Sequence, residues 1–183
     1  MPHSSASPCK PITIATYNMH KGMSALNRQV QLSRMAQALD SLRPDVLFLQ
    51  EVQGEHLKRQ QKLLDFPKAP HYDILGDELD YYTSYGQNAV YKEKHHGNAI
   101  LSRLPIDTRH NLNITVNKLE KRGVLHCEIQ PEDWPYPLIC LCAHLNLRET
   151  DRITGAAKIV KVEGEESSIK VEAVPDAGVV PEA

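Results

Sequence analysis

The stretch Asp45-Val46-Leu47-Phe48-Leu49-Gln50-Glu51 decides the fold class. Its apolar run is too short for a helix of its own and lacks the alternation of a half-exposed strand, so it reads as a strand covered on both faces. Such a strand needs a layer on either side, and it delivers Glu51 at its C-terminal end. Upstream, Pro11 to Tyr17 reads as a further strand that ends at Asn18 and the loop Met19-His20-Lys21-Gly22. Between the two, Leu26, Val30, Leu32, Met35, Ala36, Leu39 and Leu42 recur at helical spacing until Arg43-Pro44 stops them, which predicts a helix over 26–42.

Downstream, a more polar helix is expected over Gly54 to Leu64. Strands are then expected at Tyr72 to Leu75, Asn88 to Lys92, Asn98 to Ser102, Leu112 to Val116, Val124 to Ile129 and Leu138 to Leu145, with Gly, Pro, Asp and Asn between them. The sum is an α/β domain of layered mixed sheets flanked by helices, neither a bundle nor an all-β sandwich.

The 183 residues, 41% hydrophobic and 24% charged, fit one globular domain. Residues 150–183 carry seven acids against four bases, a net of −3, which leaves the first 149 at +1. All nine histidines and all ten aromatic residues also precede residue 150. The expected organisation is an arm over 1–10, a domain over 11–149 and a divergent acidic tail over 150–183, with at most a weak hairpin at Ala157 to Val162 and Ser168 to Val174. The overall charge of −2 removes the broad basic field of a general nucleic-acid binder and leaves local patches. No run reaches the roughly 18 apolar residues of a membrane span, and the N-terminus lacks the apolar centre of a signal peptide, so a cytoplasmic protein is expected. Cys9, Cys127, Cys140 and Cys142 have no paired metal-ligand spacing and read as reduced thiols, with Cys140 and Cys142 on one strand face.

Three positions could carry chemistry. Asn18 sits where α/β folds place ligands, beyond the carboxyl end of a strand, with His20 and Lys21 adding positive charge; a solvated turn is the plainer alternative. Glu51 leaves a rigid strand end, from which a carboxylate can hold a hard cation such as magnesium, or can pair with a neighbouring Lys or Arg. His144 ends the apolar strand Leu138 to Leu145 and can act as a general acid or donate to an oxyanion, although core histidines are common. His95, His96 and Arg122 are further basic points that could contact a phosphate, although a solvated surface is the plainer reading.

Taken in order, Tyr17-Asn18, Gln50-Glu51-Val52, Gly97-Asn98-Ala99-Ile100-Leu101-Ser102-Arg103 with Pro105, and Ala143-His144-Leu145 resemble the endonuclease/exonuclease/phosphatase superfamily, which includes deoxyribonucleases, sphingomyelinases and inositol phosphatases. The resemblance covers about residues 11–149. It implies two packed mixed sheets flanked by helices, and hydrolysis of phosphoester bonds with Mg2+ or Mn2+. By that similarity Glu51 and Asn18 match the metal site, Asn18 and His144 match catalytic positions, and His20, Lys21, Asn98 and Arg122 fall on the substrate side. The implied partner is a phosphoester: nucleic acid, phospholipid or a small phosphate ester.

The resemblance stops at the first half. The superfamily's Gly-Asp-Phe-Asn segment and its late Ser-Asp-His, which activate water, have no counterpart after Glu149, and that tail holds no histidine. The expectation is a chain truncated in its second half, with hydrolysis impaired because positioned acid-base catalysis alone is worth about 10²- to 10⁴-fold. The alternative is a non-catalytic remnant or interaction module. Exposed sheet surface would then favour self-association.

Overall fold

The computed structural model describes residues 10–24 and 29–163. Two sheets lie face to face. The first has the order β1-β2-β4-β3, built from β1 (Ile14–Asn18), β2 (Val46–His56), β3 (Tyr82–Tyr91) and β4 (Lys94–Ser102). β1 and β2 are parallel, with Asn18 opposite Gln50, and the other pairs are antiparallel. The second sheet is the antiparallel set β5 (Ile106–Asn113), β6 (Gly123–Ile129) and β7 (Leu138–Ala143). Among the described residues four α-helices accompany them: α1 (Leu32–Leu42), α2 (Leu57–Lys62), α3 (His71–Leu79) and α4 (Glu149–Glu163).

The continuous apolar run of β2 is explained by what covers it. Leu47 and Leu49 pack with Leu32, Ala36 and Leu39 of α1 and Leu75 of α3. Val46, with Ile100 of β4, packs against Leu125, Cys127 and Ile129 of β6 and Cys140 and Cys142 of β7. Successive β2 side chains therefore serve a helix–sheet core and a sheet–sheet core in turn. The mixed α/β sandwich expected from the sequence is the architecture observed. Cys127, Cys140 and Cys142 are free, buried thiols within it, and burial pushes Cys140 and Cys142 up to about 12. Cys9 lies outside the described residues.

Several elements differ from expectation. Tyr72 to Leu75, expected as a strand, lies in α3. Pro70 opens that helix, Tyr72, Leu75 and Leu79 fall on one helical face, and Asp80 closes it in a left-handed conformation. Four residues rich in Tyr, Ile and Leu gave a local β signal that the longer period overrides. The helix expected from Leu26 begins at Leu32, because Val30 bridges Met23. The helix expected over Gly54 to Leu64 shrinks to α2, since β2 stays paired with β4 as far as His56 opposite Lys94. β3 and β5 both begin earlier than predicted, at Tyr82 and Ile106, and β5 ends at Asn113. Ala157 to Val162, expected in a weak hairpin, falls in α4, whose first turn carries Glu149 and Asp151 at the end where acids favour a helix. The matching segment Ser168 to Val174 lies outside the described residues.

Candidate functional site

Parallel pairing sets the carboxyl end of β1 level with the middle of β2, with Asn18 opposite Gln50, and the candidate residues gather there; β2 runs on to His56, so Glu51, expected at a strand end, lies within the strand. Beyond Asn18 the backbone N–H of Met19 donates to the Gln50 carbonyl at 2.8 Å, and the Met19 side chain is fully buried. The Asn18 Oδ1 then accepts the His20 N–H at 3.0 Å, a local turn that folds the next residues back over the strand ends. His20, Lys21 and Gly22 all have positive φ. Gly22 is required there twice over: its φ is +67°, and a Cβ would sit 2.6 Å from the His71 ring.

Glu51 also has positive φ, +52°, at a break in the β2–β4 register between Leu49 and Val52. The bulge takes Glu51 out of the ladder and turns its carboxylate toward the loop. Lys21 Nζ donates to Glu51 Oε2 at 2.8 Å, and His20 Nδ1 lies 3.9 Å from the same oxygen. His144 Nδ1 approaches the other oxygen, Oε1, at 3.9 Å. His144 follows directly on β7, so the site spans both sheets. Beneath it the junction is tied: Cys142 Sγ meets the Leu49 carbonyl at 3.6 Å and the Gln50 amide at 3.8 Å.

Burial works to raise the Glu51 carboxyl, but the Lys21 ammonium, the His144 ring and the Asn18 amide outweigh it, and the net shift is downward. Glu51 is thus a carboxylate near neutral pH. His144 is shifted the other way in charge: burial, then the Arg122 guanidinium, hold its imidazole below the usual value, against the opposing pull of Glu51. The ring is therefore neutral near pH 7.

Other expected residues divide. His20, Lys21 and Arg122 stand at the site. Arg122, with little of its side chain exposed, pairs with Glu120 at 3.6 Å. Its Nε is buried without a hydrogen-bond partner among the described residues. Asn98, expected to face substrate, is only 1% exposed, and its amide donates to the Gly123 and Cys142 carbonyls at 3.0 Å each. It clamps one sheet to the other, because a strand covered on both faces turns its inner polar group toward the opposite backbone. Sequence reasoning missed Asn146, buried beside the site, which donates to Glu120 Oε2 at 2.7 Å. His96, which the sequence offers as a phosphate contact or a solvated surface group, is largely drawn inward. Burial, then Lys21, lower it to about 4, so it lies beside Glu51 as a neutral ring.

Residues 15–155 match the family model of the Endonuclease/Exonuclease/phosphatase family. The chain belongs to the endonuclease/exonuclease/phosphatase family. Within that family it is 41% identical over 139 residues to the protein YbhP of Escherichia coli K12, covering 76% of this chain and 55% of the relative. The chain thus spans about half the length of the curated relatives it matches. The fold also matches an endonuclease/exonuclease/phosphatase structure from Beutenbergia cavernae, with a TM-score of 0.66 at 17% identity, over 86% of this chain and 44% of that one. ANGEL2, a 2',3'-cyclic phosphatase, aligns with a TM-score of 0.58 at 16% identity, over 85% of this chain and 48% of that one.

A divalent ion of the kind this family suggests can be tested against the donors. The Glu51 carboxylate is a hard oxygen donor on its bulge, Asn18 at the end of β1 carries a second hard oxygen that accepts the His20 N–H in this structure, and the ammonium already on Glu51 Oε2 marks a place where positive charge is stabilised. That chemistry fits a magnesium-like ion that keeps most of its water and takes one or two carboxylates. Among the described residues no group of three His, Cys, Asp or Glu converges to hold an ion without other help.

Proposed function

We propose that this chain is the metal-binding half of a phosphoester hydrolase, with Mg2+ or Mn2+ held through Glu51 and Asn18. The observation that carries the reading is Glu51 on its bulge, between Lys21 on one oxygen and His144 near the other. The ion, when bound, supplies polarisation of a phosphoryl oxygen. Everything else is the work of the chain. Lys21 and Arg122 place positive charge where a phosphate would lie, with His20 at the rim. His144, neutral at pH 7, holds one ring proton for donation to an oxygen of the phosphoryl group or to the leaving group. Asn18 keeps the loop folded so that Lys21 reaches its carboxylate.

The sequence after Glu149 supports impaired turnover, since no Gly-Asp-Phe-Asn or Ser-Asp-His is present there to activate water. It equally favours a second reading, a non-catalytic interaction module, which open edges at β1 and β7 would suit as surfaces for self-association. Three reduced thiols in the core support a reducing, cytoplasmic setting. No helix among the described residues is long and apolar enough to cross a membrane.

Hydrolysis of bis(p-nitrophenyl) phosphate separates the two readings. The expected result is a slow rate that needs Mg2+ or Mn2+, disappears in chelator and drops at least about 100-fold in Glu51→Ala, the scale of losing one positioned catalytic group. A rate equal to a buffer blank with either ion overturns the enzyme reading for this chain and leaves the interaction module.

A further inference from the structure

The β3–β4 hairpin carries an aromatic group that the site's own chemistry does not use. Tyr91 is 50% exposed, yet its position is defined by neighbours. Tyr91 pairs with Lys94 across the ladder, and His96 lies two residues further along β4, so all three share one face of the hairpin. The Lys94 ammonium sits 4.9 Å over the Tyr91 ring, and the His96 ring stacks near it with centroids 6.5 Å apart and planes 23° apart. His96 in turn feels the charges of Lys21, Glu51, Lys94 and Arg122. An exposed aromatic ring, the ammonium over it and the His96 ring therefore share one face of the hairpin, and His96 lies within the electrostatic reach of Glu51.

We infer that Tyr91 is a base-stacking subsite for single-stranded nucleic acid, with Lys94 meeting an adjacent phosphate. Every base has a face that can stack on such a ring, and a cation beside it tracks the backbone. A lipid surface fits this hairpin less well. Val90, the other exposed apolar side chain nearby, points to the opposite face, and Glu93 in the hairpin turn is paired with Lys58 at 2.8 Å. The inference rests on the hydrolase reading for its direction, since the strand is taken to continue into the Glu51 site.

The test is fluorescence anisotropy of the full chain in EDTA, where no metal-dependent turnover intervenes, with labelled oligo(dT) and an abasic oligomer of equal length, about eight nucleotides. The wild type should bind oligo(dT) about tenfold more tightly than the abasic strand. Tyr91→Ala should remove that preference and leave abasic binding as it was, while Tyr91→Phe should keep it. Lys94→Ala should weaken both strands alike and flatten the salt dependence by about one counterion. Equal binding of the two strands by the wild type, a preference that survives Tyr91→Ala, no oligonucleotide binding, or tighter binding to phosphatidylserine vesicles would each overturn the inference. The hydrolase reading fails separately, on the bis(p-nitrophenyl) phosphate rate, which involves no base to stack.

Discussion

On the proposed reading, Lys21 competes with a metal ion for the Glu51 carboxylate. Its ammonium holds Glu51 Oε2 at 2.8 Å, so a divalent ion at that carboxylate has to displace it or share it. A partly exposed ion pair of this kind is worth up to about 1 kcal/mol, or about fivefold in an equilibrium. Lys21→Met should therefore tighten Mn2+ binding by about that factor, read by electron paramagnetic resonance titration of free Mn2+. Unchanged or weaker binding would mean that Glu51 is not the ligand or that the ammonium helps to place the ion. Asn18 and His144 were legible in the sequence because each stands at the end of a strand, which puts a side chain in a fixed place, whereas Glu51, expected at a strand end, lies at a bulge within β2. The Glu51–Lys21 pair was legible only as an alternative. What joins them is a local positive-φ turn and a bulge, and neither leaves a periodic signal.

At the scale of elements, Asn98 shows how a polar residue can be structural although its neighbours carry chemistry. Its amide serves two carbonyls of the opposite sheet in a buried place. Asn98→Leu fills a similar volume and leaves both carbonyls without that donor, which should cost about 2 to 3 kcal/mol of folding free energy. Urea denaturation checks this, and a loss below about 1 kcal/mol would mean that the carbonyls find other partners. The same scale explains where sequence reading failed. β2 was legible because burial on both faces gives an unbroken apolar run. α3 was not, because within Tyr72 to Leu75 strand and helix place apolar residues almost identically, and only Leu79 and the closing Asp80 decide between them. Tyr82 to Gln87 of β3 mixes exposed, half-buried and buried residues, so its strand character depends on β4 more than on its own pattern. Tyr91 escaped notice for a related reason: a single exposed aromatic acquires meaning only from the register that sets it beside Lys94 and His96.

For the whole molecule, the histidines that pack the site end set how folding responds to acid. His71 lies buried under Gly22 and beside Phe66, and neither ring nitrogen has a hydrogen-bond partner among the described residues. Burial, then the Arg59 charge, lower its pKa from 6.5 to about 4. As pH falls the unfolded chain takes up this proton first, so the stabilisation is complete above pH 6.5 and is lost on the way down to about 4. Glu51, Glu120 and Glu128 are shifted downward from 4.5, so their contribution is present above that value and is lost only below it. The two windows separate at about pH 5, where His71 alone should already have cost about 2 kcal/mol relative to about pH 7. His96, also lowered to about 4 but only partly buried, and His56, His95 and His144, each also lowered, should add losses of the same sign. Urea denaturation at the two pH values measures the sum, and His71→Phe, which keeps a ring against Phe66 and Gly22 and removes the titrating group, should flatten it by the share of His71. A His71→Phe variant that loses stability between the same pH values as steeply as the wild type would place the acid sensitivity elsewhere in the fold.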